Sequence, residues 1–425
     1  MDLPHRSLPE QGIDANHVLE DLRAAKANDR DWAGGKVFSL VYDGGEELHE
    51  LHGEALKLYS AENGLNVLAF PSIGQLSHDL VRITAELLGA GAPGAPEGVA
   101  GHLTSGGTES LLWAMKVARD EGYARGIERP KVVASTSTHI TLTKAVDYFG
   151  VEVQRVPVDP STFRADVDAI AAACDERTVM VVGSAPSYPQ GVIDDITSLA
   201  ALAQERGILC HVDACLGGWL LPFLGELGHV DTPWDFRVSG VTSISADLHK
   251  YGYASKGVSA ILYASPELAR RQIFASDDWL GGFYASTTVA GSKPAGPIAA
   301  AWATAMHLGR DGYLALAEQT WQAARELIDG VQANPALRTW GDPDMTVAAI
   351  GSADANLDVF ALGDYLSARG WYLDRQANPD ALHATVHAGS AKGVGGLLAD
   401  LGTGVEEVLG QRATDRSTTY GADEA

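Results

Sequence analysis

Between Thr104 and Tyr263 the chain keeps switching hydrophobic period, and that switching constrains the fold more than any other feature. Six short runs have strand character: KVVAS (131–135), VEVQRVPV (151–158), TVMVVGSAP (178–186), ILCHVD (208–213), VTSIS (241–245) and GVSAILY (257–263). Helix-period stretches at 108–123, 139–149 and 194–206 separate several of them. A helix between two strands carries the chain back to the edge where it started, so the strands run parallel. The alternation predicts a large α/β domain with a mostly parallel sheet. A polar helix over 14–32 precedes it as an arm, and from Pro294 to about Val331 the pattern turns helical. MTVAAIG (345–351), a helix at 357–369, WYLDRQ (371–376), ALHATVHA (381–388) and a helix near 393–410 then describe a small α+β domain. The expected division is an N-terminal arm to residue 75, a large domain over 76–295, a connecting helix and small domain over 296–411, and a disordered tail from Arg412.

Composition narrows the partners. The 425 residues include 31 basic and 55 acidic side chains, a net charge of -24. No basic face is available for nucleic acid or an anionic membrane, and any anionic ligand has to be held by local groups against the overall field. The opening MDLPHRSLPEQG lacks a signal peptide's apolar core, and no run of about 18 apolar residues suggests an integral membrane anchor. Cys174, Cys210 and Cys215 are odd in number and lie outside metal-ligand spacing. A reduced, cytoplasmic protein without a metal is the expectation.

Three short motifs carry chemistry. In HLTSGGTES (102–110) two glycines and a threonine stand just ahead of a helix, with Thr108 or Ser105 as a possible cap. Exposed N–H groups at such a helix start can bind a phosphate, and glycine lets it approach; an ordinary Gly-Gly turn is the plainer reading. HVDACLGGW (211–219) ends a buried strand run in Asp213, where an open α/β sheet places ligands, although turn aspartates are common. ADLHKYGY (246–253) sets Lys250 beside a histidine and two tyrosines at another strand end. Apolar neighbours favour a lysine that must lose its proton, while pairing with Asp247 would be the structural alternative. Together the motifs supply a phosphate cradle, an aspartate for a protonated pyridine nitrogen and a lysine for a Schiff base, the three handles of pyridoxal 5'-phosphate. His139, in STSTHIT (135–141), is placed either to stack on that ring or to cap a helix.

SGGTES, HVDACLGGW, FRVSGVTSISADLHKYGY, SKG and DWLGGFYASTTVAGSKPAG resemble the sphingosine-phosphate lyases, within the group II decarboxylase branch of fold-type I pyridoxal-phosphate enzymes. The resemblance runs from about Gly35 to Glu407. It implies that Gly106, Gly107 and Thr108 bind the coenzyme phosphate, His139 stacks on the ring, Asp213 meets its nitrogen, Lys250 forms the Schiff base and His249 lies close by. It also implies an obligate homodimer, with Gly291 and Ser292 reaching the phosphate from the neighbouring subunit. Tyr42, Tyr188 and Lys256 correspond to positions facing the substrate. One segment departs from the family. Where these lyases carry Asn-Pro-Leu-His to bind the substrate phosphate, this chain has Asn63, Gly64, Leu65 and Asn66. Loss of the histidine removes a cationic ligand and weakens the expectation of a phosphorylated substrate. The expected reaction is retro-aldol cleavage of a 2-amino-3-hydroxy compound, with L-amino-acid decarboxylation, or aldol cleavage of a non-phosphorylated substrate, as alternatives.

Overall fold

The computed structural model describes residues 7–27, 29–414 and 416–418. Its centre is a seven-stranded sheet built from β1 (Ala100–Thr104), β2 (Lys131–Ser135), β3 (Glu152–Val156), β4 (Thr178–Ser184), β5 (Leu209–Asp213), β6 (Ser243–Ala246) and β7 (Ser259–Tyr263). The spatial order is β1-β7-β6-β5-β4-β2-β3. All neighbours pair in parallel except β7, which is antiparallel to both β1 and β6. Every residue of β2, β4, β6 and β7 is buried, as continuous apolar or small-residue runs require when helices cover both faces. The mostly parallel α/β architecture is thus as expected. β1, by contrast, is mostly half-buried, and it lies at the start of the alternating pattern.

The topology places the C-terminal ends of β1, β2, β4, β5 and β6 on one side of the sheet. The loops that follow carry Ser105 to Thr108, His139, Tyr188, Asp213 and Lys250, so the sequence motifs converge at that end. A hairpin of β8 (Phe274–Ser276) and β9 (Tyr284–Ser286) leaves the large body before helix Ala295–Ala333. That helix breaks its geometry at Gly309, where φ is 55°, a left-handed value that glycine adopts without steric cost. Beyond it, β10 (Leu337–Thr339), β11 (Val347–Ser352), β12 (Asp374–Gln376) and β13 (Ala381–Thr385) form an antiparallel sheet in the order β10-β11-β13-β12, covered by helices Val359–Ala368 and Val394–Val408.

Three segments differ from the simple division of the sequence. The boundary at residue 75 falls inside helix Pro71–Leu87, whose Ile73 and Leu80 join the large core. The arm's Phe38 is fully buried in the small domain's core and exchanges backbone hydrogen bonds with Tyr372 and Thr385. At the other end, the described part of the tail is anchored: Arg416 bonds Asp358 and Asp380, and Thr414 bonds Asp364. Residues 419–425 lie outside the described residues.

Candidate active site

A cavity of about 650 Å³ opens at the C-terminal end of the large sheet. One wall is Ser105, Gly106, Gly107 and Thr108, where helix Gly107–Ala124 begins. Neither Ser105 nor Thr108 caps that helix. Its N-cap is Gly106, with no side-chain hydrogen bond, while Ser105 gives both its N–H and its hydroxyl to Glu109 Oε2 at 2.7 Å. The first-turn N–H groups therefore receive no side-chain cap and face the cavity with the positive end of the helix dipole. A Cβ on Gly107 would lie 2.8 Å from both Asp247 Oδ2 and Cys215 Sγ, so only glycine allows this close approach.

Opposite stands Asp213, 8% exposed at the end of β5. Strand register sets Ser184 and Ser245 beside it. Its Oδ1 accepts the Cys215 N–H at 3.1 Å and the Ser245 hydroxyl at 3.4 Å. Ser245 Oγ is also 3.4 Å from His211 Nε2, and His211 Nδ1 is 2.8 Å from Ser243 Oγ. Burial pushes His211 down to about 4, so it is neutral at pH 7. His139 lines the cavity on a loop stapled by Arg155, which donates to the carbonyls of Thr138 and His139. Burial, reinforced by Lys250 and opposed by Asp213, lowers the His139 pKa and favours the neutral ring.

Lys250 Nζ reaches into the same space and lies 3.0 Å from Asp247 Oδ2. The pairing considered as the plainer reading is therefore present, inside the cavity rather than in place of it. His249 also lines the cavity; its Nδ1 meets the Val258 carbonyl at 2.8 Å and its Nε2 is 3.7 Å from Asp247.

Lys256 donates to the His249 carbonyl at 3.1 Å and stands 4.9 Å over the Tyr42 ring. Water reaches the Lys256 side chain, yet protein encloses its amine on most sides. Desolvation and the charge of Lys250 push it down to about 8. Tyr42 packs on Tyr251, 4.9 Å between ring centroids, and lines a neighbouring recess that shares Lys256 with the main cavity. Tyr188 stacks on His383 and donates its hydroxyl to Asp374 at 2.9 Å. Asp374 and His383 come from the small domain, which is why no local pattern pointed to them.

The remaining candidates lie outside this cavity. Asn63 donates to Ser292 Oγ at 3.0 Å and accepts the Leu65 and Lys293 N–H groups, while Asn66 Oδ1 accepts those of Leu68 and Ala69. Val289 and Ala290 line the cavity, and Gly291 and Ser292 follow just beyond it. Glu109 was not singled out in the sequence, although the Ser105-to-Glu109 spacing suits such a loop–helix contact.

A deep cavity with a glycine cradle, a buried carboxylate, a neutral imidazole and a lysine fits pyridoxal phosphate. Fold and site together define a pyridoxal-phosphate-dependent lyase. The pyridoxal-dependent decarboxylase conserved domain matches residues 1–348. Sphingosine-1-phosphate lyase of Arabidopsis thaliana is 41% identical over 405 residues, covering 94% of this chain and 74% of that protein. The corresponding protein of Oryza sativa is 40% identical over 424 residues, covering 98% and 77%. The solved sphingosine-1-phosphate lyase of Burkholderia pseudomallei superposes with a TM-score of 0.90 at 40% identity, over 95% of this chain and 93% of that one. Glutamate decarboxylase of Lactobacillus brevis shares the fold, with a TM-score of 0.82 at 22% identity over 96% of each chain. The chain belongs to the pyridoxal-dependent decarboxylase family and, within it, to the sphingosine-1-phosphate lyases.

Proposed function

We propose that the chain cleaves a 2-amino-3-hydroxy compound between its amine-bearing and hydroxyl-bearing carbons. With a phosphorylated sphingoid base, the products are a long-chain aldehyde and phosphoethanolamine. The observation that carries this reading is the second lysine. Lys250 suffices to hold a coenzyme, whereas cleavage beside a hydroxyl also needs a base for the hydroxyl proton, and Lys256 lies on the same cavity with its pKa lowered to about 8.

In this reading the first-turn N–H groups of Gly106 to Thr108 hold the coenzyme phosphate, Lys250 its aldehyde carbon and Asp213 its ring nitrogen. Pyridoxal phosphate, when bound, draws electrons from the substrate carbon that bears the amine. Asp213 keeps the ring-nitrogen proton in place, supported by the Cys215 N–H and the Ser245 hydroxyl. Neutral His139 offers a flat apolar face without competing charge. Lys256 accepts the 3-hydroxyl proton at Nζ, and the face of Tyr42 stabilises the resulting ammonium. Tyr188, fixed through Asp374 and His383, bounds the substrate side.

The reading includes a homodimer. Supporting it are apolar side chains left exposed on the β8–β9 hairpin, Trp279, Leu280 and Phe283, and on helix Ala15–Lys26, Val18, Leu19 and Leu22. Gly291 and Ser292, beyond the protomer's own cavity, are then available to a neighbour. Among the described residues no helix is long and apolar enough to cross a membrane. The test is incubation of coenzyme-loaded protein with sphinganine phosphate, with mass-spectrometric detection of products. Aldehyde and phosphoethanolamine, absent from Lys250→Ala, support the assignment. Release of carbon dioxide from an amino acid instead would replace it with decarboxylation.

A further inference from the structure

Glu109 stands where the coenzyme cradle meets an exposed loop, and its carboxylate bonds both. At the third position of helix Gly107–Ala124, its Oε2 accepts the Ser105 N–H and the Ser105 hydroxyl, both at 2.7 Å. A capping box would send such a side chain back to the N–H of the N-cap residue. Here it reaches one residue further and fixes the turn from β1 into the cradle. Oε1 accepts the indole N–H of Trp113 at 3.2 Å and the backbone N–H of Val289 at 2.7 Å. Glu109 is 8% exposed, so water competes little for these charge-assisted bonds. The carboxylate is a brace between two segments 180 residues apart.

The loop that follows the β8–β9 hairpin is held at further points. Gln272, fully buried and itself accepting the Tyr263 hydroxyl at 2.9 Å, donates to the Thr287 carbonyl at 2.7 Å. Thr288 donates its hydroxyl to the Ala290 carbonyl at 2.9 Å, and Asn63 bonds both Ser292 Oγ and the Lys293 N–H. The backbone is bonded down while side chains stay outside: Val289 is 66% exposed, and Ala290 and Ser292 are exposed as well. Trp279, Leu280 and Phe283 extend this surface along the hairpin. An apolar surface on a fixed backbone has the form of a preorganised contact rather than of a solvent loop.

We propose that Glu109 is a positioning residue that acts across the dimer: by bracing the 287–293 loop against its own cradle, it sets the place from which Gly291 and Ser292 meet the coenzyme of the partner subunit. The inference rests on the homodimer reading and deepens it, since each cradle then supports its neighbour's coenzyme as well as its own. An amide cannot replace this carboxylate. Its oxygen serves one pair of donors and its NH2 group faces the other, so at least one backbone N–H, that of Ser105 or of Val289, is left against a donor.

Mixed dimers test this. Two differently tagged copies of the full chain are co-expressed, and the mixed species is isolated through both tags, with sedimentation confirming the dimer. One copy carries Lys250→Ala and forms no Schiff base. The visible absorbance of lysine-bound coenzyme, followed during titration with pyridoxal phosphate, therefore reports only the wild-type copy's site. Adding Glu109→Gln to the Lys250→Ala copy is expected to weaken coenzyme at that wild-type site by about fivefold or more, the scale of one hydrogen bond, although nothing in its own chain has changed. A substitution that merely loosened its own protomer would leave that site untouched. Unchanged affinity there overturns the proposal, even if Glu109→Gln in the Lys250-bearing copy weakens coenzyme. Should Glu109→Gln give no stable dimer, Glu109→Asp, which keeps the charge and withdraws it by one methylene, takes its place and must show the same loss across the dimer, or the proposal falls. Wild-type chain that sediments as a monomer refutes the homodimer reading and the inference with it; a dimer without the loss across subunits refutes the inference and leaves the homodimer.

Discussion

Lys250 Nζ lies 3.0 Å from Asp247 Oδ2, and the Asp247 side chain is only 1% exposed. Burial opposes the charge on Asp247, but Lys250 and His249, with a hydrogen bond from Ser259, outweigh it and hold the carboxyl below its ordinary range. The lysine proposed to hold the coenzyme is therefore kept in the cavity wall beside a carboxylate that solvent hardly reaches. Asp247→Asn should destabilise coenzyme-free protein by about 2–3 kcal/mol, below the usual loss for a broken buried pair because Lys250 keeps some contact with water. A carboxyl with a depressed folded pKa stabilises above its unfolded value, near 4, and loses that contribution as pH falls through the lower folded value. Denaturant melts across pH 2–6 should show this acid-dependent part in the wild type and not in Asp247→Asn; identical profiles would mean that the pair contributes nothing.

Lys256, with its pKa pushed down to about 8, must be neutral to take a proton. The value of kcat/KM should rise with pH and level off above an apparent pKa near 8. Lys256→Met should lower kcat by about 10²–10⁴-fold, the range for general bases, and remove that limb while the coenzyme absorbance persists. A limb that survives the substitution would assign it to another group, with Tyr42 and Tyr188 the next to test.

The sequence made part of this arrangement legible, and the reason is local. Lys250, Asp213 and the cradle at 106–108 each sit at the junction of one strand and one loop, so a short window contains both the element and the reactive group. What no short window carries comes from pairings across the fold. Asp374 and His383 reach Tyr188 from the small domain, and Ser245 meets Asp213 only through strand register. Phe38 falls in the expected N-terminal arm because nothing in VFSLVY (37–42) tells which sheet it will join. The cap is Gly106 rather than the expected Ser105 or Thr108 for a related cause: the Ser105 hydroxyl could bond the helix or the Glu109 carboxylate, and it bonds the carboxylate.

Two buried histidines make stability depend on pH in a predictable direction. Burial pushes both His211 and His387 down to about 4, so each is neutral in the folded protein over a range where the unfolded chain protonates it near 6.5. Between about pH 6.5 and 4 the unfolded state binds more protons, and stability falls as pH falls, by about 3 kcal/mol per histidine over the window. Asp194, lifted by burial to about 6, pulls the opposite way, so the measurement is a difference between proteins. Denaturant melts at pH 7 and pH 4.5 should show a smaller acid loss for His211→Gln than for the wild type. An equal loss would mean that His211 is not held neutral.

Behind Asp213 runs a chain of buried groups, from Ser243 through His211 and Ser245 to the carboxylate. Neutral His211 carries one ring proton. With Ser243 donating to Nδ1, Nε2 donates to Ser245 and frees the Ser245 proton for Asp213, so every member points its hydrogen toward the charge. The contacts of Ser245 with His211 and with Asp213 are both 3.4 Å, long for hydrogen bonds, which argues for a modest effect rather than a decisive one. Ser245→Ala should therefore keep the fold and weaken coenzyme binding by roughly 1 kcal/mol, about fivefold, because Asp213 loses one of its donors. Ser245→Thr, which retains the hydroxyl, should recover most of that loss. Fluorescence titration with pyridoxal phosphate reads the affinity, and the pH dependence of the bound coenzyme's visible absorbance reads the ring-nitrogen environment. If the alanine variant moved neither quantity, the chain would be packing alone, and Asp213 would owe its orientation to the Cys215 N–H at 3.1 Å.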